Sequence, residues 1–167
     1  MQVIISDTSC LIDLKKVSLI EAFLLLPYEI TIPDILFSEE IIKFTNEEKL
    51  LLKNGLQVRS ISGKAVQRAI EVKQTNSKLT INDCFAFVLA ESISGSILLT
   101  GDKRLRNLAE KSGIEFRGVL WIIEKIYEAN LVCPDKLYSS LLEWQRDETV
   151  RLPNKALNEF IERFKNL

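Results

Sequence analysis

Val3-Ile4-Ile5-Ser6-Asp7-Thr8-Ser9 places a short strand near the start of the chain, apolar on both faces and closed by an acid and two hydroxyl residues. A strand of consecutive β-branched residues with no polar alternation belongs in the middle of a parallel sheet covered by helices on both sides. In such sheets ligands bind outside the carboxyl ends of the strands, where the topology switches direction. Asp7 therefore stands where chemistry is usually done. It stands equally well as the N-cap of the next helix, a role open also to Thr8 and Ser9.

Outward from this stretch, strand and helix patterns alternate. Residues 11–26 carry an apolar stripe of Leu11, Leu14, Ile20, Phe23 and Leu24, which predicts one helix closed by Pro27. Glu29-Ile30-Thr31-Ile32 reads as a second strand, and Pro33 opens a helix carrying Ile35, Leu36, Ile41, Ile42 and Phe44. Thr45-Asn46-Glu47-Glu48 has capping-box spacing for a further helix ending near Gly55. Residues 56–61 alternate like a half-buried or edge strand, helical spacing resumes from Ser62, and residues 73–78 read as a loop. Thr80-Ile81-Asn82-Asp83 leads into a strongly apolar helix ended by Gly95. Residues 96–100 form the second clearly buried strand, which again runs into an acid, Asp102. A helix to Lys111, a strand at 114–117 and a helix at 119–131 follow, and beyond Pro134 the patterns are helical throughout. This order predicts an α/β fold, a three-layer α/β/α sandwich with a mainly parallel sheet. Residues 1–131 would form the sandwich, and 132–167 a helical extension packed on it or on a partner.

Composition narrows the chemistry more than the fold. The chain has 167 residues, 47% hydrophobic and 27% charged, with a net charge of −1 from 22 basic and 23 acidic residues. One buried core is expected at this length. No apolar run approaches the ~20 residues that span a bilayer, and no basic residue precedes the first apolar run, so neither a membrane span nor a signal peptide is expected. Cys10, Cys84 and Cys133 are odd in number and widely separated, which suggests reduced thiols and a cytoplasmic protein. There is no histidine. A Ser-His-Asp triad, a Cys-His dyad and most zinc sites are thereby excluded. Catalysis must rest on carboxylates, lysines, hydroxyls or a metal.

Asp7 and Asp102 follow apolar strands directly, Asp83 sits at the start of an apolar helix, and Glu39 and Glu40 lie within the helix that Pro33 opens. Each acid has an ordinary use: Asp102 as an N-cap, Thr80-x-x-Asp83 as a capping box, Glu39 as a solvated helix residue. If the two strands are neighbours, however, Asp7 and Asp102 emerge on one edge of the sheet. Ionised carboxylates crowded there raise one another's pKa unless a cation sits among them. Oxygen ligands alone select Mg²⁺ or Mn²⁺. As a ligand, Asp83 would point across the carboxyl edge toward Asp7 and Asp102; as a cap, it would turn back onto the Thr80 N–H.

Taken in order, Ile4-Ile5-Ser6-Asp7-Thr8-Ser9, Ile32-Pro33 with Leu36-x-x-Glu39, Thr80-x-x-Asp83 before Leu89-Ala90, and Leu99-Thr100-x-Asp102 resemble the PIN domain over about residues 1–131. Gly118-Val119-Leu120-Trp121 resembles that family's last core helix. The resemblance implies a metal-dependent ribonuclease with Asp7, Glu39, Asp83 and Asp102 as catalytic metal ligands for Mg²⁺ or Mn²⁺. Glu40, beside Glu39, leaves the second acid open by one position. Thr8, Ser9 and Thr100 match positions where the family keeps hydroxyls near the site. Many bacterial and archaeal members are VapC-type toxins, so the resemblance also implies an RNA substrate, a cognate antitoxin and a homodimer. Lys15, Lys103, Arg104 and Arg106 are candidates for RNA phosphate contacts, each with a solvated helix face as its alternative. Two other folds place an Asp after a strand, the first strand in one and a central strand in the other. A phosphatase of the haloacid dehalogenase type needs a second Asp where Ser9 stands, and a receiver domain needs a late Lys that has no clear place here. A catalytically silent binding module on the same fold is the remaining alternative.

Overall fold

In a computed structural model, which describes residues 1–40, 42 and 44–167 with Glu40 by its backbone alone, Val3–Ser6 forms β1 at the centre of a five-stranded sheet. The other strands are β2 (Glu29–Pro33), β3 (Gln57–Arg59), β4 (Ile97–Leu99) and β5 (Glu115–Arg117), in the order β3-β2-β1-β4-β5. Every pairing is parallel. Ile4, Ile5, Ile30, Ile32, Leu98 and Leu99 are buried, as strands covered on both faces require. The edges are short and polar: β3 is exposed throughout, and Glu115 and Arg117 of β5 face water. Charged edges of this kind discourage pairing with another chain.

Among the described residues ten helices connect and flank these strands: α1 (Thr8–Lys16), α2 (Ile20–Leu24), α3 (Asp34–Glu40), α4 (Asn46–Gly55), α5 (Gly63–Thr75), α6 (Ile81–Ser92), α7 (Lys103–Lys111), α8 (Val119–Glu128), α9 (Pro134–Arg146) and α10 (Asn154–Lys165). The fold is the expected α/β/α sandwich. α6 is apolar nearly all round because it is buried nearly all round. Residues Cys84 to Ala90 are all buried, and the helix packs on β1, β2 and β4 on one side and α5 on the other. α8 packs with α1 and α2.

Several boundaries differ from those predicted. The helix expected over 11–26 is two helices, because the chain ends α1 in a left-handed turn at Ser18 (φ 57°). The Leu19 N–H reaches back to the Leu14 carbonyl and the Ser18 N–H to Lys15, the bonding of a Schellman cap. A serine in this position gives no sequence signal, since glycine is the usual occupant. α8 stops three residues earlier than expected, in the same way, at Asn130 (φ 54°). α5 continues to Thr75, inside the predicted loop. Thr45 and Glu48 form the expected capping box of α4. Ile41, assigned above to the stripe of the helix after Pro33, lies outside the described residues, as does the side chain of Glu40.

α9 and α10 pack on each other, and α9 also packs on α8. The Trp144 indole donates to the Asp13 carbonyl of α1 at 2.9 Å. Beyond α9, Asp147 pairs with Lys16 of α1 at 3.2 Å. Residues 147–152 thus run along the amino-terminal helix, next to the carboxyl edge of the sheet.

Candidate active site

β1 has β2 on one side and β4 on the other, so the chain leaves β1 in one direction and returns on the opposite side. The topological switch falls between β1 and β4. Ser6 is in register with Leu99, which brings Asp7 and Thr100 out of the sheet side by side. The Asp7 N–H donates to the Leu99 carbonyl at 3.0 Å, extending the ladder by one bond into the site.

Three acids collect at this edge, each at the start of a helix. Asp7 is the N-cap of α1: its Oδ1 accepts from the Cys10 N–H at 2.9 Å and from the Ser9 hydroxyl at 2.9 Å. Asp102 is the N-cap of α7, with Oδ1 accepting from the N–H groups of Arg104 and Leu105 at 2.8 and 2.9 Å. Asp83 completes the capping box of α6: its Oδ2 accepts from the Thr80 N–H at 2.8 Å, and its own N–H donates to Thr80 Oγ1 at 3.1 Å. Asp83 thus takes the folded-back orientation, because the unpaired N–H groups of a first helical turn need an acceptor. It still lines a cavity with Asp7. Each cap occupies one carboxylate oxygen and leaves the other, Oδ2 of Asp7 and Asp102 and Oδ1 of Asp83, outside the capping bond. The positive ends of three helices meet at these carboxylates, which favours negative charge there.

Two adjoining cavities open on the acids. The smaller, about 110 Å³, is walled by Asp7, Thr8, Ser9, Leu36, Asn82 and Asp83 among others. The larger cleft, about 720 Å³, holds Asp7, Asp13, Asp83 and Asp102 against Lys103, Arg104 and Arg151. Burial pushes the Asp7 carboxyl above its usual range, against the hydrogen bonds from Thr100, Cys10 and Ser9 that favour the charged form. Thr100 also accepts from the Asp102 N–H at 3.1 Å, so one hydroxyl ties the two acids together. Asp13 is pushed up to about 6, first by burial and then by the charges of Asp7 and Asp147, with Lys16 opposing.

The remaining predicted residues divide. Glu39 is exposed and accepts from Asn82 Nδ2 at 3.5 Å, at the margin of the smaller cavity. Thr8 lies inside it, and its buried Oγ1 has no hydrogen-bond partner. Lys103 and Arg104 line the larger cleft. Lys15 pairs with Glu48 at 3.2 Å and stacks over Phe44. Arg106 donates to the Thr100 carbonyl at 2.9 Å and lies against Gly118, where a Cβ would collide with its guanidinium. Its charge supports the loop that carries Asp102.

Asp13, Thr149 and Arg151 line the cleft without having been singled out from sequence. Asp13 lies four residues after Ser9, on the same face of α1, a spacing that could have marked it. Thr149 and Arg151 carried no signal, since only the docking of α9 brings their segment to the site.

Among the described residues, no three acidic or thiol side chains stand close enough to hold one metal ion as they are placed. The donor chemistry nevertheless fits a hard divalent cation. The donors are carboxylates and hydroxyls, and Thr8, whose buried Oγ1 has no hydrogen-bond partner, lines a cavity whose other polar groups are oxygens and an amide. A buried hydroxyl without a partner costs about 1–3 kcal/mol, a deficit that a hydrated ion in this cavity would remove. The caps hold the carboxylates at their helix ends, so an ion would reach them through its water shell or by drawing them off their caps.

A family model, DUF3368, described as a PIN domain, matches residues 3–166. No curated protein matches the chain. Among the described residues, no helix is long and apolar enough to cross a membrane.

Proposed function

The chain belongs to the PIN-domain family, a nuclease-type fold, and on that premise we propose that it is a divalent-metal-dependent endoribonuclease. The observation that carries this reading is the meeting of Asp7, Asp83 and Asp102 in one cleft with Lys103 and Arg104. Acids and cationic side chains lining one cleft suit a phosphodiester, whose charge the cations attract while the acids serve a metal ion. Asp7, Asp83 and Asp102 would hold Mg²⁺ or Mn²⁺, with Glu39 reaching it by way of water beside Asn82. Bound there, the ion would acidify and orient a water and neutralise charge developing on phosphorus.

The chain's own residues have separable tasks. Ser9 and Thr100 hold the Asp7 carboxylate in place and favour its ionised form. Lys103 and Arg104, on the wall of the cleft, would contact the phosphate oxygens. Thr8 offers a hydroxyl with no competing partner. With no histidine in the chain, proton transfer falls to carboxylates and water. The proposal extends to a narrower role, the toxin of a type II pair, which predicts growth arrest on expression and rescue by an antitoxin encoded beside it.

A second reading, a catalytically silent module that binds RNA or protein, draws on the capped acids and on the want of a preassembled triad among the described residues. Metal-stripped protein, labelled RNA and Mn²⁺ separate the two. Cleavage by the native chain and its loss in Asp7→Asn are expected, since asparagine caps a helix as well as aspartate. Full Mn²⁺-dependent activity in Asp7→Asn would refute the assignment. No cleavage, with no heat of Mn²⁺ binding by calorimetry, would leave the silent module.

A further inference from the structure

Beside the acidic cleft lies a further cavity of about 400 Å³, between the turn that joins α5 to α6 and the outer face of α7. Its polar wall includes Asn76, Ser77, Lys78, Arg104, Asn107 and Lys111, and no carboxylate lines it among the described residues. The turn is held in place from within. Lys73 Nζ donates to the Ser77 carbonyl at 2.6 Å, Asn76 Nδ2 to the Val72 carbonyl at 3.0 Å, and the Leu79 N–H to the Asn76 carbonyl at 3.0 Å. Leu79, buried, and Leu108, half-buried, form the floor. Arg104 belongs to this cavity and to the acidic cleft at once. Lys78, Arg104 and Lys111 are exposed and have no ion pair among the described residues.

We propose that this cavity is a phosphate-binding subsite that holds the backbone of a single-stranded nucleic acid one or more nucleotides away from the phosphate in the acidic cleft, with Arg104 as the link between them. The inference rests on the nuclease reading for its position but not for its chemistry. Lys78 and Lys111 share the cavity wall with no carboxylate among the described residues, and with Arg104, which the acidic cleft partly neutralises, they leave a positive field that an anion relieves. The side chains of Asn107 and Ser77 add neutral donors of the kind that fix a phosphate's orientation. The leucine floor gives a ribose or base an apolar surface. A strand is favoured over a free small anion because the cavity shares Arg104 with the cleft that offers a second place for a phosphate. An isolated phosphate has no use for that second place.

Binding is measured with a labelled oligouridylate in EDTA, where no cleavage occurs, for the native chain and for the double variant Lys78→Gln/Lys111→Gln. Neither lysine belongs to the catalytic cleft, and circular dichroism checks the fold of both proteins. Each phosphate contact to a single strand contributes about 0.7 to the slope of log Kd against log salt. The double variant should therefore lose about 1.4 from that slope. Near 0.1 M salt the same figure gives roughly a fivefold weakening per contact. Lys78→Arg/Lys111→Arg should restore binding. Cleavage of a dinucleotide, too short to reach the cavity, should be equal in native and Gln variants, while cleavage of the oligomer falls. An unchanged slope and affinity in the Gln variant overturns the proposal. So does competition by a mononucleotide as strong as by the oligomer, which would make the cavity a small-anion site, or by polyglutamate as strong as by RNA, which would make it a protein-docking surface. A native chain that binds the strand through these lysines but never cuts it would end the nuclease reading and leave the subsite standing.

Discussion

Asp13→Asn should stabilise the protein at neutral pH and leave its stability almost unchanged in acid. Asp13 faces the cleft with Asp7 and is held at about 6 against an ordinary value of 3.8, chiefly by burial, with Asp7 and Asp147 adding repulsion. Because its folded pKa lies above the unfolded one, the folded chain binds this proton more tightly. The sign follows: the group costs nothing below about pH 4, its cost grows as pH rises from about 4 to 6, and it is fully present above. At about 1.4 kcal/mol per pH unit the displacement corresponds to roughly 3 kcal/mol. The carboxylate is partly reached by water and lies 3.9 Å from Lys16, so screening reduces this to about 1–2 kcal/mol. For a chain of this length that is a rise in Tm of about 2–8 °C. Thermal unfolding of native and variant proteins, followed by circular dichroism from about pH 4 to 8 in EDTA, reads the difference directly. The Trp144 bond goes to the Asp13 backbone and survives the change. Equal Tm differences at every pH, or a variant least stable at neutral pH, would refute the claim that Asp13 is a strained, half-buried charge of this site.

Asp83→Asn keeps an acceptor for the Thr80 N–H, so its Tm should stay within about 2 °C of native, while metal-dependent cleavage disappears; full activity would mean that Asp83 does nothing but cap α6. Saturating Mn²⁺, at about 100 times its Kd, should add roughly 2.7 kcal/mol of stability, read as a shift in Tm that Asp7→Asn erases. Zn²⁺ should gain nothing further, since Cys10 and Cys84 are buried and Cys133 is exposed elsewhere; no shift with Mn²⁺ would speak for the silent module. Trp144→Phe keeps an aromatic ring but strands the Asp13 carbonyl, a loss of about 1–3 kcal/mol, to which the space left by the smaller ring adds. An unchanged Tm would show that α9 does not depend on this bond to α1.

What the sequence determined by itself was whatever short-range physics dictates. Consecutive β-branched residues at Val3-Ile4-Ile5, and the apolar run at 97–99, have no stable place except strands covered on both faces. Asp7 and Asp102 follow those runs directly, so their arrival at one edge of the sheet was legible once the strands were parallel neighbours. The capping boxes of α4 and α6 were legible too, because each is written within four residues. The break at Ser18 was not, since it depends on a left-handed turn that the docking of α2 rewards and that serine does not announce. Nor was the double position of Asp83, whose carboxylate satisfies a local N–H while the packing of α6 on β1 sets it in a cavity with Asp7. Asp13, Thr149 and Arg151 became part of the cleft only through tertiary structure. More than 130 residues separate Asp13 from Arg151 along the chain. Burial of Trp144 against α1 closes that distance, and no periodicity in either segment encodes a contact that only the finished core makes favourable.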